Sequence, residues 1–242
     1  MMISRIYHSL NLNHTDNGSD KVVYVLLPKQ MEASDLEAVE ASATAHGVNI
    51  ILLSGFDWDA CMTPWKATDI FKTSRCYDGA AKDFLDELIN DYSFNIEHSM
   101  QIEKAERYLV GTSFSGLFAI WAATQKDFFK GVASLSGSFW YEDFQSWFDQ
   151  QTTVYGEKFY LSLGEKEKDS KNKTLANVQE STEAVCAHLQ ELGKEVTFEM
   201  NPHHHFNKIP EKIDAALDCI IGKPQPQENC DEAASAPETT DK

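Results

Sequence analysis

Cysteine is scarce in this chain and follows no pairing pattern. Cys61, Cys76, Cys186, Cys219 and Cys230 make an odd set of five, with no C-x-x-C and no zinc-type spacing. That excludes a disulfide scaffold and reads as the reduced thiols of a cytosolic protein. Basic residues are also in short supply: 21 Lys and Arg stand against 38 Asp and Glu, a formal charge of −17. Such a balance repels nucleic-acid backbones and anionic membrane surfaces, so neither is expected as a partner. No apolar run is long enough to span a bilayer. The opening Met1-Met2-Ile3-Ser4-Arg5 lacks the apolar core of a secretory leader. The expectation is a cytoplasmic protein whose partner is a small molecule; the charge says nothing of its oligomeric state.

What is present suits one α/β domain. The chain has 242 residues, 42% of them hydrophobic, enough to bury a core without metal or disulfide. Residues 3–10 read as a possible strand and Asn11 to Asp20 as a turn. Lys21 to Leu27 is a buried-strand pattern stopped by Pro28. A helix over 34–46 ends at Gly47, and Val48 to Leu53 is the next strand. Residues 54–78 show no periodicity, which in a compact domain often marks a functional loop. Further on, helices are expected at 80–92, 115–124, 141–150, 174–192 and 210–221. Strands are expected at 107–110, 131–135, 158–163 and 195–200. This alternation predicts a mostly parallel sheet with helices on both faces, a single domain over 1–222. Residues 223–242, rich in Pro, Glu, Ser and Thr, read as a disordered acidic tail.

One strand-to-helix junction carries a chemical pattern. Tyr108-Leu-Val110 runs into Gly111-Thr-Ser113-Phe-Ser115-Gly116, and a helix follows. A nucleophilic serine on such a turn needs small residues two before and two after it, so that strand and helix can approach closely. Gly111 and Ser115 meet that need. The helix N-terminus favours negative charge on an attacked carbonyl oxygen, with the Phe114 N–H as one donor. Serine also needs a base, and the base an orienting acid, in the chain order Ser, acid, His. Past the strand ending at Leu163 lie Glu165, Glu167 and Asp169; past the strand at 195–200 lie His203, His204 and His205. Both sets fall at strand carboxyl ends, the edge where open α/β sheets place their sites. Against this stand solvated charge in the acidic run and, for the histidines, a metal site, which neighbours in sequence rarely build. No metal and no cofactor is expected.

The chain resembles the putative-esterase family of α/β hydrolases, which includes esterase D-like, feruloyl and siderophore esterases and mycolyltransferases. The resemblance runs from about Val22 to Ile221 and is strongest over Gly111 to Ala119 and Phe128 to Gly137. Those stretches are similar to the family's G-x-S-x-G-G block and its F-x-x-V-x-S-x-S-G strand. The resemblance implies an α/β-hydrolase fold with Ser113 as nucleophile. It implies Glu167 as acid, ahead of Glu165, because the family's acid follows a post-strand glycine by three positions. It implies His205 as base, with His204 second. The segment Asp59 to Pro64 is similar to the family's D-L-T-P region near the substrate. By position the second oxyanion donor is the N–H of Lys29. Three departures are visible: Leu27-Pro28-Lys29 for the usual L-D-G, Ser115 for the second glycine, and His203-His204 for G-G.

The expected activity is hydrolysis of a carboxylic ester of small or medium size through an acyl-enzyme, with Trp58, Trp65 and Trp140 lining the pocket. The rivals are an acyltransferase or thioesterase with the same triad, and a non-catalytic binding protein on the same fold.

Overall fold

The computed structural model describes residues 1–7, 10–73, 75–102 and 104–224. Among the described residues there are ten strands: β1 (Ile3–Tyr7), β2 (Leu10–His14), β3 (Lys21–Leu26), β4 (Asn49–Ser54), β5 (Lys66–Ala67), β6 (Tyr77–Asp78), β7 (Glu106–Thr112), β8 (Gly131–Leu135), β9 (Lys158–Gly164) and β10 (Glu195–Asn201). Eight of them form one sheet in the order β1-β2-β4-β3-β7-β8-β9-β10, and β5 pairs with β6 apart from it. From β4 to β10 every pairing is parallel, while β2 is antiparallel to both its neighbours.

Alternation along the strands explains the two helical layers. In β3, Val22, Tyr24 and Leu26 face one core and Val23 and Val25 the other. In β4, Ile51 and Leu53 face the first core and Ile50 and Leu52 the second. A sheet buried on both faces reads as a continuous apolar run, as these strands do. The second core is covered by α1 (Ala33–Ala45), through Val39 and Ala43, and by the C-terminal helix Ile209–Ile220, through Ile213, Ala216 and Leu217. The first is covered by α2 (Trp58–Cys61), α3 (Ala81–Glu87), α4 (Phe94–Ser99), α5 (Phe114–Gln125), α6 (Phe144–Phe148) and α8 (Val178–Glu191), with the short α7 (Lys173–Ala176) before α8. The helix Ile209–Ile220 is then α9.

Several expectations shift. The segment expected as a turn begins with residues 11–14 of β2, in which Asn13 and His14 are buried between β1 and β4. Strand pairing outweighs the turn preference of its asparagines. The helix expected over 80–92 is α3 followed by a π-helical turn, Leu88–Ser93, and then α4. Residues 54–78 hold α2, β5 and β6. Of the tail expected at 223–242, residues 225–242 lie outside the described residues. Among the described residues no helix is long and apolar enough to cross a membrane.

What positions the site is the reversal of strand order at β3. Its neighbour on one side is β4, next in the chain, and on the other β7. Connections leaving β3 and β7 therefore diverge to opposite sides and open a crevice at their carboxyl ends. The chain after β8, β9 and β10 emerges at the same edge.

Candidate active site

Ser113 sits between β7 and α5 with φ 57° and ψ −120°, a backbone state that non-glycine residues rarely occupy. Three backbone bonds hold it there: Ser113 N–H donates to Leu135 O (2.9 Å), and Ser113 O accepts from Leu117 N–H and Ser138 N–H (both 3.1 Å). A Cβ at Gly111 would collide with the carbonyl of Ser115, and one at Gly116 with the Ser134 hydroxyl. Strand and helix thus approach as closely as the pattern requires. Ser115, at the place of the family's second glycine, is fully buried. Its hydroxyl accepts from Thr112 N–H (2.8 Å) and lies in donor range of Leu26 O (2.8 Å) and Thr112 O (3.0 Å). It ties the turn to the end of β3, work that a glycine could not do. Phe114 opens α5, so its N–H has no intrahelical acceptor.

The chain past β9 turns back in a short 3₁₀ segment, Glu167–Asp169. Glu167 Oε1 accepts from the Ser136 hydroxyl (2.6 Å) and from Gly164 N–H (2.9 Å), and its Oε2 meets His205 Nδ1 at 2.6 Å. Burial opposes ionisation of Glu167, but the bonds from His205, Ser136 and Gly164 outweigh it and hold its carboxyl below the usual range. A carboxylate only accepts, so Nδ1 carries the proton and Nε2 is left as the basic nitrogen of His205. Gly164 lets the two loops meet, since a Cβ there would strike the carbonyl of His203.

Ser113, Phe114, Glu167 and His205 line one cavity of about 590 Å³. The Ser113 hydroxyl is within 3.4 Å of the Ser138 hydroxyl. Of the alternatives, His204 lines the cavity but is exposed, and Glu165 is exposed and absent from the lining. Trp58 and Trp140 reach the cavity. Trp65 does not: its indole N–H donates to Glu142 O (2.9 Å) and its ring packs among Tyr141, Phe144 and Trp147. The segment after β3 brings Pro28 to the cavity, whereas Lys29 lines a neighbouring one with Phe206. Among the described residues no group of three or more His, Cys, Asp or Glu is placed to hold a metal ion.

Four participants had no individual signal. Ser136 and Ser138 belong to the Ser-Leu-Ser-Gly-Ser run that begins at the end of β8, which marks a motif without saying what each hydroxyl touches. Phe71 and Arg75 come from the aperiodic segment. There Asp69 accepts from the N–H groups of Phe71 (2.9 Å), Thr73 (2.7 Å) and Arg75 (3.2 Å). This carboxylate folds the loop that presents both side chains to the cavity.

Comparison with known proteins places this geometry. Residues 34–206 match the family described as putative esterase. The chain belongs to that family. It is a carboxylic-ester hydrolase built on an α/β-hydrolase fold. Its sequence is 23% identical over 221 residues, 86% of this chain and 88% of the other, to the uncharacterized protein YbbA of Bacillus subtilis (strain 168). Its fold is similar to that of an IroE-like serine hydrolase from Shewanella oneidensis, with a TM-score of 0.72 and 14% identity over 91% of this chain and 78% of that one. The siderophore hydrolase EstB of Aspergillus nidulans gives a TM-score of 0.64 and 15% identity, covering 91% and 94% of the two chains.

Proposed function

We propose that the esterase works through an acyl-enzyme on Ser113, with His205 as general base and Glu167 as its orienting acid. The observation that carries this reading is the 2.6 Å bond between Glu167 and His205 Nδ1, made on the same cavity as a serine at a strained strand-to-helix turn. In the first step Ser113 Oγ attacks the ester carbonyl carbon, its proton passes to His205 Nε2, and the carbonyl electron pair becomes an oxyanion facing Phe114 N–H. Collapse expels the alcohol, which takes the proton back from His205. Water then repeats the sequence on the acyl-serine and releases the acid. Glu167 stays ionised throughout and stabilises the imidazolium that forms twice per cycle.

The walls bear on the substrate. Trp58, Phe71, Phe114, Trp140 and Phe206 give the cavity an aromatic lining, and Arg75 adds a cation. This favours an ester with a flat or aromatic acyl or alcohol part of medium size. The similarity in fold to a siderophore hydrolase adds siderophore-like esters to the classes worth testing.

Labelling by a fluorophosphonate probe tests the nucleophile. Wild type should label, and Ser113→Ala should abolish both labelling and turnover of p-nitrophenyl esters. Labelling that survives Ser113→Ala would overturn the assignment, and no labelling or turnover in wild type would favour a binding protein. Added alcohol acceptors separate hydrolysis from acyl transfer by their products.

A further inference from the structure

The first turn of α9 carries a lysine where a buried helix face calls for an apolar side chain. Lys212 is only 3% exposed and lies beneath the loop that follows β10. Its ammonium donates to two successive carbonyl oxygens, His204 O and His205 O, each at 3.0 Å. Among the described residues no carboxylate comes within ion-pair distance of it. Burying an ammonium against neutral acceptors is unfavourable compared with a methionine or leucine of similar volume. Burial draws the Lys212 ammonium below its ordinary pKa, and the charge of Glu167 opposes that shift. A charge kept at such cost is explained by what it holds.

What it holds is the backbone of the base. The loop is otherwise thinly tied: His203 N–H donates to Asn201 Oδ1 (3.1 Å) and Asn207 N–H to His204 O (3.1 Å). His204 and Phe206, on either side of His205, are exposed. Glu167 bonds the His205 ring at Nδ1 and not its backbone. With the carbonyls of 204 and 205 both turned down onto one ammonium, the main chain and the ring are each pinned, and the direction of Nε2 is set. We propose that Lys212 is a positioning residue that holds His205 in its catalytic orientation through the backbone of its loop. The inference rests on the reading of His205 as the base. Misplacement of a catalytic group by about 1 Å can cost on the order of 100-fold in rate.

The test uses the full chain and a p-nitrophenyl ester, measuring kcat, KM and Tm, with proton NMR of the low-field His205 Nδ1–H signal. Lys212→Met keeps the stem volume and removes donors and charge. It should lower kcat by about 10- to 100-fold, leave KM within about threefold, and broaden the low-field signal. Lys212→Arg, which retains charge and paired donors, should recover most of the lost kcat. An unchanged kcat in Lys212→Met overturns the proposal. So does a joint loss of kcat, KM and Tm that arginine does not relieve, because that is the mark of a merely structural residue. If the methionine variant does not fold, Lys212→Gln decides by the same split: kcat down at constant KM supports the proposal, and kcat unchanged overturns it. Turnover that survives Ser113→Ala is a different failure, that of the triad itself, and the proposal falls with it.

Discussion

The proposed nucleophile, Ser113, and the proposed base, His205, are held in different ways. Around Ser113 the constraints lie mostly in the main chain: three backbone hydrogen bonds and two glycines with no room for a Cβ, to which one side chain, the buried Ser115 hydroxyl, adds bonds to main-chain groups of two strands. Around His205 they lie in side chains: Glu167 on the ring, Lys212 under the loop, Asn201 at its start. The Ser113 residue is 8% exposed, and the His205 side chain is 32% exposed. A turn built from backbone cannot change without disturbing the sheet that carries it. A loop tied by side chains can lose its alignment while the fold stands. Substitutions at the turn should therefore unsettle fold and function together, and those on the base's side should separate them.

The largest effect that tests this separation is expected at Glu167. Glu167→Gln keeps the shape but loses the charge and the tautomer that carboxylate imposes, and should lower kcat by about 10³- to 10⁴-fold with KM little changed. Glu165→Gln, at an exposed position off the cavity, should change kcat by less than about twofold. The pH dependence of stability supplies a second readout. The Glu167 pKa is lowered in the folded state, so its contribution is present above the unfolded value, near 4.5, and is lost as pH falls through the folded value. Urea midpoints of wild type and Glu167→Gln should accordingly differ most at neutral pH and converge in acid. Equal activity of the two glutamine variants would remove Glu167 from the triad.

Much of this contrast is legible in the sequence, and unevenly so. The turn at Ser113 is local: a strand, a glycine, a serine and a helix lie within a dozen residues, so pattern alone places it. The strands that bury both faces announce themselves as apolar runs. The surroundings of His205 are built from residues far apart in the chain. Ser136 and Glu167 are 31 residues apart, and Glu167 and His205 are 38. The choice of Glu167 over Glu165 depends on a three-residue turn back under the end of β9, which the family spacing conveys and periodicity does not. Trp65 looked like Trp58 and Trp140 because its partner, the carbonyl of Glu142, is 77 residues away. Lys29 lines a cavity shared with Phe206, a residue 177 positions further along the chain, so its surroundings are not set by its sequence neighbours. Lys212 falls on the apolar face of its helix, and only its residue type, a lysine, points from sequence to solvent.

At the turn itself, Gly111→Ala should act on the fold first. The new methyl would meet the Ser115 carbonyl, a backbone group that cannot rotate away, so β7 and α5 must part. A loss of about 3 kcal/mol or more is expected, read as a lower urea midpoint, with activity falling in proportion to the loss of native protein. Full stability with activity gone would show that the turn can be misaligned without disturbing the sheet, and would break the contrast.

Ser115 gives the smallest and most discriminating change. Removal of its hydroxyl in Ser115→Ala takes one acceptor from the buried N–H of Thr112 and one partner from Leu26 O. Leaving such groups unpaired costs about 1–3 kcal/mol. The Ser113 backbone keeps its own three bonds, so kcat/KM measured on the native fraction should stay within about threefold. Ser115→Gly recreates the family's usual residue and should fare slightly worse than alanine, because it adds the entropic cost of a glycine in the first turn of a helix. If instead glycine matched serine in stability while alanine did not, the hydroxyl would be filling space rather than bonding. If either variant lost activity at unchanged stability, Ser115 would belong with the side-chain supports of the base, and the division between backbone and side-chain control would have to be drawn elsewhere.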